Sequence, residues 1–494
     1  LCKRLTLDSW MIPLLQELPS TMGNTSRQRL WSNALLGTGV GIAGGAVRGF
    51  ALHRPLLLSA LLGGAIGLLF AFLLAKRATS AGAGLIWGLG SGFTIWLLMP
   101  ARLLPLLIGG GGLNSMLPDA RLQFPELVAE LLCLGMPIGL ALGLYGSTQS
   151  NPDRPPFHWG RAIVAGGLAG TFGGLIFGYW MLAGNFFPLL AGLGNPPGHS
   201  IAVALQFLIA LVLGAAFGLL FQRDVRSYGS CMGWGLGFAI LWWFIGPLTV
   251  FPMIRGLPID WSAENAGDLF GPLIGHILYG LILGVSYATF DRFWVRLFIQ
   301  SDPLNRRADG PGLHILRSLQ WGATAGFAGG LVSSPVMIAT GVLSRVAGTE
   351  THLSLSSGLV IHLLISTLIG MSFGILFRDE ASNLAFGVLW GCVFGLIWWY
   401  AGPLTLLPLI LTGQIDWRAE AIASLLPTLI GHLLYGGSTA FVFLLLDRRY
   451  TRRLMLNPRL ASQELLRARQ SGTPAPALWM FAIGLGMLLP ILLS

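Results

Sequence analysis

Two histidines lie inside apolar runs, each followed three residues on by a tyrosine: His276 with Tyr279, and His432 with Tyr435. On a helix that spacing puts imidazole and phenol on one face. An ionisable group deep in a membrane segment is a functional candidate by default. A neutral imidazole at such a position can ligate a metal or a tetrapyrrole (pigment or haem), relay a proton, or hydrogen-bond to a neighbouring helix. His362 is also in an apolar run but has no counterpart in the repeat described below, so a structural role is expected for it.

The acidic residues form a second set. Asp119, Asp260 and Asp416 each precede a helical run. An Asp in that place caps a helix N-terminus, or it contributes to a substrate or cation site at an outer mouth. Glu126 and Glu130 are one turn apart, with Glu130 inside an apolar run. Arg102 or Arg121 is its expected partner, with a bound cation as the other option.

Catalytic signatures are missing. The sequence contains no HExxH, no GxSxG, no Walker loop and no dinucleotide fingerprint in a strand-turn-helix setting, so an enzyme is not expected. Cys2, Cys133, Cys231 and Cys392 show no metal-ligand spacing and read as small hydrophobes.

The elements that position these groups follow from composition. Of 494 residues, 54% are hydrophobic, 69 are Gly and only 10% are charged, against about 25% charged in soluble domains. A water-soluble globule is excluded, and the fold expected is an all-α integral membrane protein. Runs of about 20 apolar residues predict thirteen spans: 31–52, 55–75, 82–99, 124–147, 159–184, 200–221, 230–246, 266–290, 319–344, 354–377, 384–401, 422–446 and 475–493. The tight link between the first two also permits a re-entrant pair. His276 and His432 then fall near the middle of their spans. Residues 1–30 hold only a broken apolar patch and read as a cytoplasmic or interfacial arm.

Net charge is +10, almost all of it arginine. The arginines sit in short connectors, which argues for bilayer orientation rather than nucleic-acid binding. With the N-terminus inside, 23 of the 30 basic residues fall on the cytoplasmic side. The expectation is therefore a prokaryotic inner-membrane protein with its N-terminus cytoplasmic and its C-terminus outside.

An internal repeat organises the spans. Residues 230–294 align without a gap on 386–450 at an offset of 156, matching Trp242-Trp243 with Trp398-Trp399, Gly-Pro-Leu-Thr at 246 and 402, and Ile-Asp-Trp at 259 and 415. A diverged copy lies upstream at an offset of 147, where Trp87, Trp96, Pro100 and Pro105 match Trp234, Trp243, Pro247 and Pro252. Gly67, Gly214 and Gly370 correspond, as do Ala71, Gly218 and Gly374; small residues at these steps let helices pack closely in lipid. The units are 31–150, 151–300 and 301–473, each of four helices in parallel orientation, followed by a terminal helix at 474–494. Trp31, Trp159 and Trp321 each precede a glycine-rich first helix. On this alignment Gly135 takes the place of the two histidines in the first unit. The later Trp of each third helix (Trp96, Trp243, Trp399) is expected at the outer headgroup belt, and the Pro pair after it is expected to unwind the helix.

Two functions suit this organisation. One is a non-enzymatic subunit packing against other membrane proteins, bound lipids, or a pigment or haem. The other is a transporter or channel for a small solute or ion, using the midplane histidines and the outer acidic residues.

Overall fold

The structure, a computed structural model, describes residues 24–98, 113–149, 157–184, 199–225, 227–298, 311–343, 355–378, 384–413, 415, 417, 419–454, 482, 484, 486 and 488–493. Among them every regular element is a helix, and twelve helices are long and apolar enough to cross a bilayer. The chain is thus a multi-pass membrane protein. Residues 1–23 of the arm expected over 1–30 and most of the thirteenth expected span lie outside the described residues, while residues 24–30 form the first turns of a helix.

The helices are α1 (Asn24–Ala51), α2 (Leu56–Leu74), α3 (Ala81–Leu98), the short α4 (Leu113–Leu122) and α5 (Phe124–Thr148). They continue as α6 (Trp159–Ala183), α7 (His199–Phe221), α8 (Tyr228–Ile254), the short α9 (Ala263–Asp268) and α10 (Phe270–Phe298). The last are α11 (Pro311–Ala339), α12 (Leu355–Phe377), α13 (Leu384–Ile410) and α14 (Ala419–Leu454). The α1–α2 link is four residues long, Leu52 to Pro55, with His53 at φ +52°. Both helices are of spanning length, so the pair is not re-entrant in form.

Three sets of four helices pack in the same pattern: first on second, third on fourth, and first on fourth. Glycines set these crossings. Gly67 abuts the carbonyl of Gly37, Gly214 that of Gly166, and Gly370 that of Gly322, while Gly218 and Gly374 abut the carbonyls of Ala162 and Ser318. Backbones come this close only where no side chain intervenes. These contacts also fix the register of the first helices at an offset of 156, which aligns Trp321 with Ala165 rather than with Trp159. The shared tryptophan start is therefore a coincidence of composition.

The third helices lie innermost and the second helices outermost. Residues 82–93 of α3 are buried without a break, whereas α2 exposes Leu57, Leu61, Leu69 and Phe72. Apolar side chains on that outer surface suit lipid contact. Successive units touch through α3 on α7 and α8 on α12. Described residues of the terminal helix complete the core, with Gly484 against Phe93, Gly486 against Tyr400, and the Leu492 carbonyl near Gly267. That helix thereby touches all three sets.

The later tryptophans are not at a headgroup belt. Trp96, Trp243 and Trp399 are fully buried. Each indole N–H donates to a backbone carbonyl near the start of the fourth helix: Gln123 at 3.1 Å and Leu269 at 3.1 Å, each just before that helix, and Leu425 at 3.3 Å, six residues into α14, where Thr428 Oγ1 also accepts at 2.9 Å. A buried indole needs an acceptor. The N-terminal region of the fourth helix supplies one in each set.

The Gly-Pro-Leu-Thr strings do not unwind their helices either. The chain widens into a π turn over Gly246–Val250 and again over Gly402–Leu406, and then returns to α-helix. Proline lacks an N–H and crowds the preceding turn, and a wider turn relieves both problems. Thr249 Oγ1 donates to the Phe244 carbonyl five residues back, at 2.8 Å, and accepts from Trp261 Nε1 at 3.1 Å. Thr405 does the same with Tyr400 and Trp417, at 2.7 and 3.1 Å. One local structure thus accounts for both the Gly-Pro-Leu-Thr and the Ile-Asp-Trp strings.

At the opposite end of the second set, Arg161 on α6 grips Asp291 on α10 in a two-pronged ion pair, Nε to Oδ1 at 2.6 Å and Nη2 to Oδ2 at 2.5 Å. Removing the carboxylate charge with Asp291→Asn is expected to destabilise the protein by about 2 kcal/mol, the scale of a hydrogen bond to a charged group. Thermal unfolding in lipid nanodiscs measures this. In the third set Asp447 instead faces Arg378 of α12, at 3.4 Å.

Candidate functional site

Each four-helix set has a polar junction where its first, second and fourth helices meet, and the junction differs in every set. In the second set it holds His276. The ring nitrogen Nδ1 lies 2.8 Å from the carbonyl of Pro272, one turn earlier on the same helix. A carbonyl only accepts, so in the neutral ring Nδ1 carries the proton and Nε2 presents a lone pair. Phe177 of α6 meets the imidazole edge-on, with ring centroids 5.0 Å apart. His276 is six residues into α10, about 9 Å from its start. It is therefore nearer the end at which the third helix exits than the middle of the helix.

Tyr279 makes the helix-to-helix bond. Its hydroxyl donates to the Ala210 carbonyl of α7 at 2.9 Å, and Tyr435 repeats this with Ser366 of α12 at 2.6 Å. These carbonyls belong to residues beside the glycine crossings, so the phenols fasten second helix to fourth. His432 likewise bonds its own helix, Nδ1 to the Thr428 carbonyl at 2.9 Å. Its Nε2 is the free nitrogen.

Gln206 and His362 were not paired by sequence comparison. They occupy the same place. Gln206 Nε2 donates to the Gly174 carbonyl at 2.8 Å, and His362 Nε2 approaches the Gly330 carbonyl at 3.2 Å with Ser333 Oγ 3.4 Å away. Both pairs lie 156 residues apart. Glutamine and histidine share no letter, but each reaches across to a first-helix carbonyl. The signal that could have found them was the constant offset from the aligned histidines and tyrosines.

The first set carries charge at this junction. Arg48 of α1 lies 3.1 Å from Glu130 and 3.6 Å from Glu126, both on α5, and the more exposed Arg54 bonds Glu126 at 2.9 Å. Arg48 and Glu130 are 8% and 2% exposed, so this ion pair is buried. The partner of Glu130 is therefore Arg48, not Arg121; Arg102 lies outside the described residues. Gly135 is not the counterpart of the histidines. It abuts Gly88 as Gly280 abuts Gly235 and Gly436 abuts Gly391.

The acidic residues before helices are dispersed. Asp260 is exposed; its Oδ1 accepts from Ser262 N at 2.8 Å, and Ser262 rather than Asp260 caps α9. Asp119 is exposed within α4. Asp416 lies outside the described residues. No group of three or more metal-ligating side chains occurs among the described residues.

A cavity of about 230 Å³ opens at the second junction, lined by all four helices of that set and by the connector between α8 and α9. His276, Gln206 and Tyr279 lie in its wall with Phe177, Trp242 and Phe251. An apolar cavity of about 150 Å³ accepts a benzene ring. The space thus suits one substituted ring rather than the four-ring macrocycle of a haem. The two histidines also sit in separate junctions, each against its own first helix. No family model, no curated protein and no solved structure matches this chain.

Proposed function

We propose that this chain is a non-enzymatic multi-pass subunit of the prokaryotic inner membrane, built as three related four-helix units and a terminal helix, with the N-terminus cytoplasmic and the C-terminus outside. The matched hydrogen bonds at an offset of 156 support the repeat, and the clustering of arginine on one side supports the orientation. The observation that carries the subunit reading is the open face of α2. The second helices α7 and α12 each pack on the third helix of the preceding unit, whereas α2 has no such neighbour among the described residues. Leu57, at 76% exposed, and Leu61 stand on that face. A helix of another membrane protein would complete the pattern.

Cysteine placed at Leu57 or Leu61, labelled with a benzophenone maleimide and irradiated in native membranes, is expected to trap a discrete membrane protein. Crosslinks to lipid alone would sink the reading. A second reading, a carrier of a small solute, draws on the buried Arg48–Glu130 pair and the cavity at His276. Solute uptake into liposomes that disappears with both His276→Ala and His432→Ala would favour it.

A further inference from the structure

We propose that the cavity of the second unit is a binding site for a membrane-soluble ligand with a single-ring, hydroxyl-bearing head, of the phenol or hydroquinone class. The inference concerns an intramolecular site and does not rest on a partner docking at α2. Volume limits the head to about one substituted ring, as the benzene comparison shows.

The walls are aromatic. Phe177, Trp242 and Phe251 present rings, and aromatic pairs gain from edge-on and offset contact beyond burial alone. The open polar groups fix the chemistry of the substituents. His276 Nδ1 is committed to Pro272, which leaves Nε2 as an acceptor. Gln206 is 3% exposed, and its amide N–H donates to Gly174, which leaves Oε1 buried without a partner. Gln206 Oε1 is thus a buried acceptor without a donor, which is costly and uncommon, and His276 Nε2 is a second acceptor in the same cavity wall. Both call for a ligand that donates hydrogen bonds, and a hydroxyl on a ring does so.

The third unit provides an internal control. There His362 replaces Gln206 and Ser333 replaces Phe177, and Ser333 lies against His362 instead of leaving an aromatic wall.

The test is calorimetric titration of the full-length protein in detergent with 2-decylhydroquinone, beside its dimethyl ether. The expected result is one saturable site per chain, with the ether at least tenfold weaker. His276→Phe and Gln206→Leu should each weaken hydroquinone binding about tenfold, the equivalent of one hydrogen bond. His432→Phe should leave it within twofold. The proposal is overturned by an ether that binds as tightly as the hydroquinone, by affinities indifferent to both second-unit variants, or by no saturable binding. The ether comparison needs no variant and so survives a folding defect. Loss of hydroquinone binding with intact α2 crosslinks would remove this site alone.

Discussion

Arg48→Leu is expected to cost about 3–5 kcal/mol, because it strands the Glu130 carboxylate in the packed interior without its cation. Arg48 and Glu130 face each other at 3.1 Å where a helix of the first pair meets the fourth helix, and Arg54 reaches only Glu126. Thermal unfolding in nanodiscs should show a large loss for the single variant. Arg48→Leu combined with Glu130→Leu should recover most of it, since a buried ion pair replaced by apolar groups of similar volume is often neutral or better. An unchanged unfolding curve for Arg48→Leu alone would show that the pair carries no weight.

The second large effect concerns the glycine crossings. Gly280→Leu drives a side chain into the carbonyl of Gly235, where α8 and α10 touch through their backbones. Overpacking of this kind costs about 3 kcal/mol when the backbone must move. The same substitution at Gly39, which has open space around its missing Cβ, should be tolerated within about 1 kcal/mol. Expression level and unfolding temperature of the two variants give the comparison. Equal behaviour would show that the closeness of α8 and α10 is not what holds the unit.

The membrane fold was legible because its signal is composition summed over twenty residues, which no single contact can override. The aligned His276, His432, Tyr279 and Tyr435 were likewise visible by type and offset. The roles within each pair were not. Sequence placed the helix-crossing bond on histidine, while the structure gives it to tyrosine, because an imidazole on a helix reaches its own carbonyl four residues back more readily than a neighbour. Arg48 was not singled out as the partner of Glu130, since a long side chain near a helix end is expected to turn towards water. Only the position of Glu130 across the crossing holds it inside. Gln206 was invisible for a different reason: its counterpart is a histidine, and the two share geometry rather than chemistry. Trp96, Trp243 and Trp399 were sent to the bilayer surface by an amphipathic preference that a carbonyl inside the core can satisfy equally well.

The π turn at Glu130–Gly135 is where the fourth helix of the first set departs from those of the other two. From the carbonyl that receives the tryptophan N–H to the glycine of the backbone crossing is eleven residues in the second unit (Leu269 to Gly280) and in the third (Leu425 to Gly436), but twelve in the first (Gln123 to Gly135). The one extra residue sits in a bulge between two anchor contacts that all three sets make. Since one residue turns a helix by about 100°, the insertion re-aims only the side chains between the anchors. That is how a glutamate could arrive opposite Arg48 while the flanking packing stayed the same. An extra residue at this point changes the chemistry of one four-helix set without rebuilding its frame.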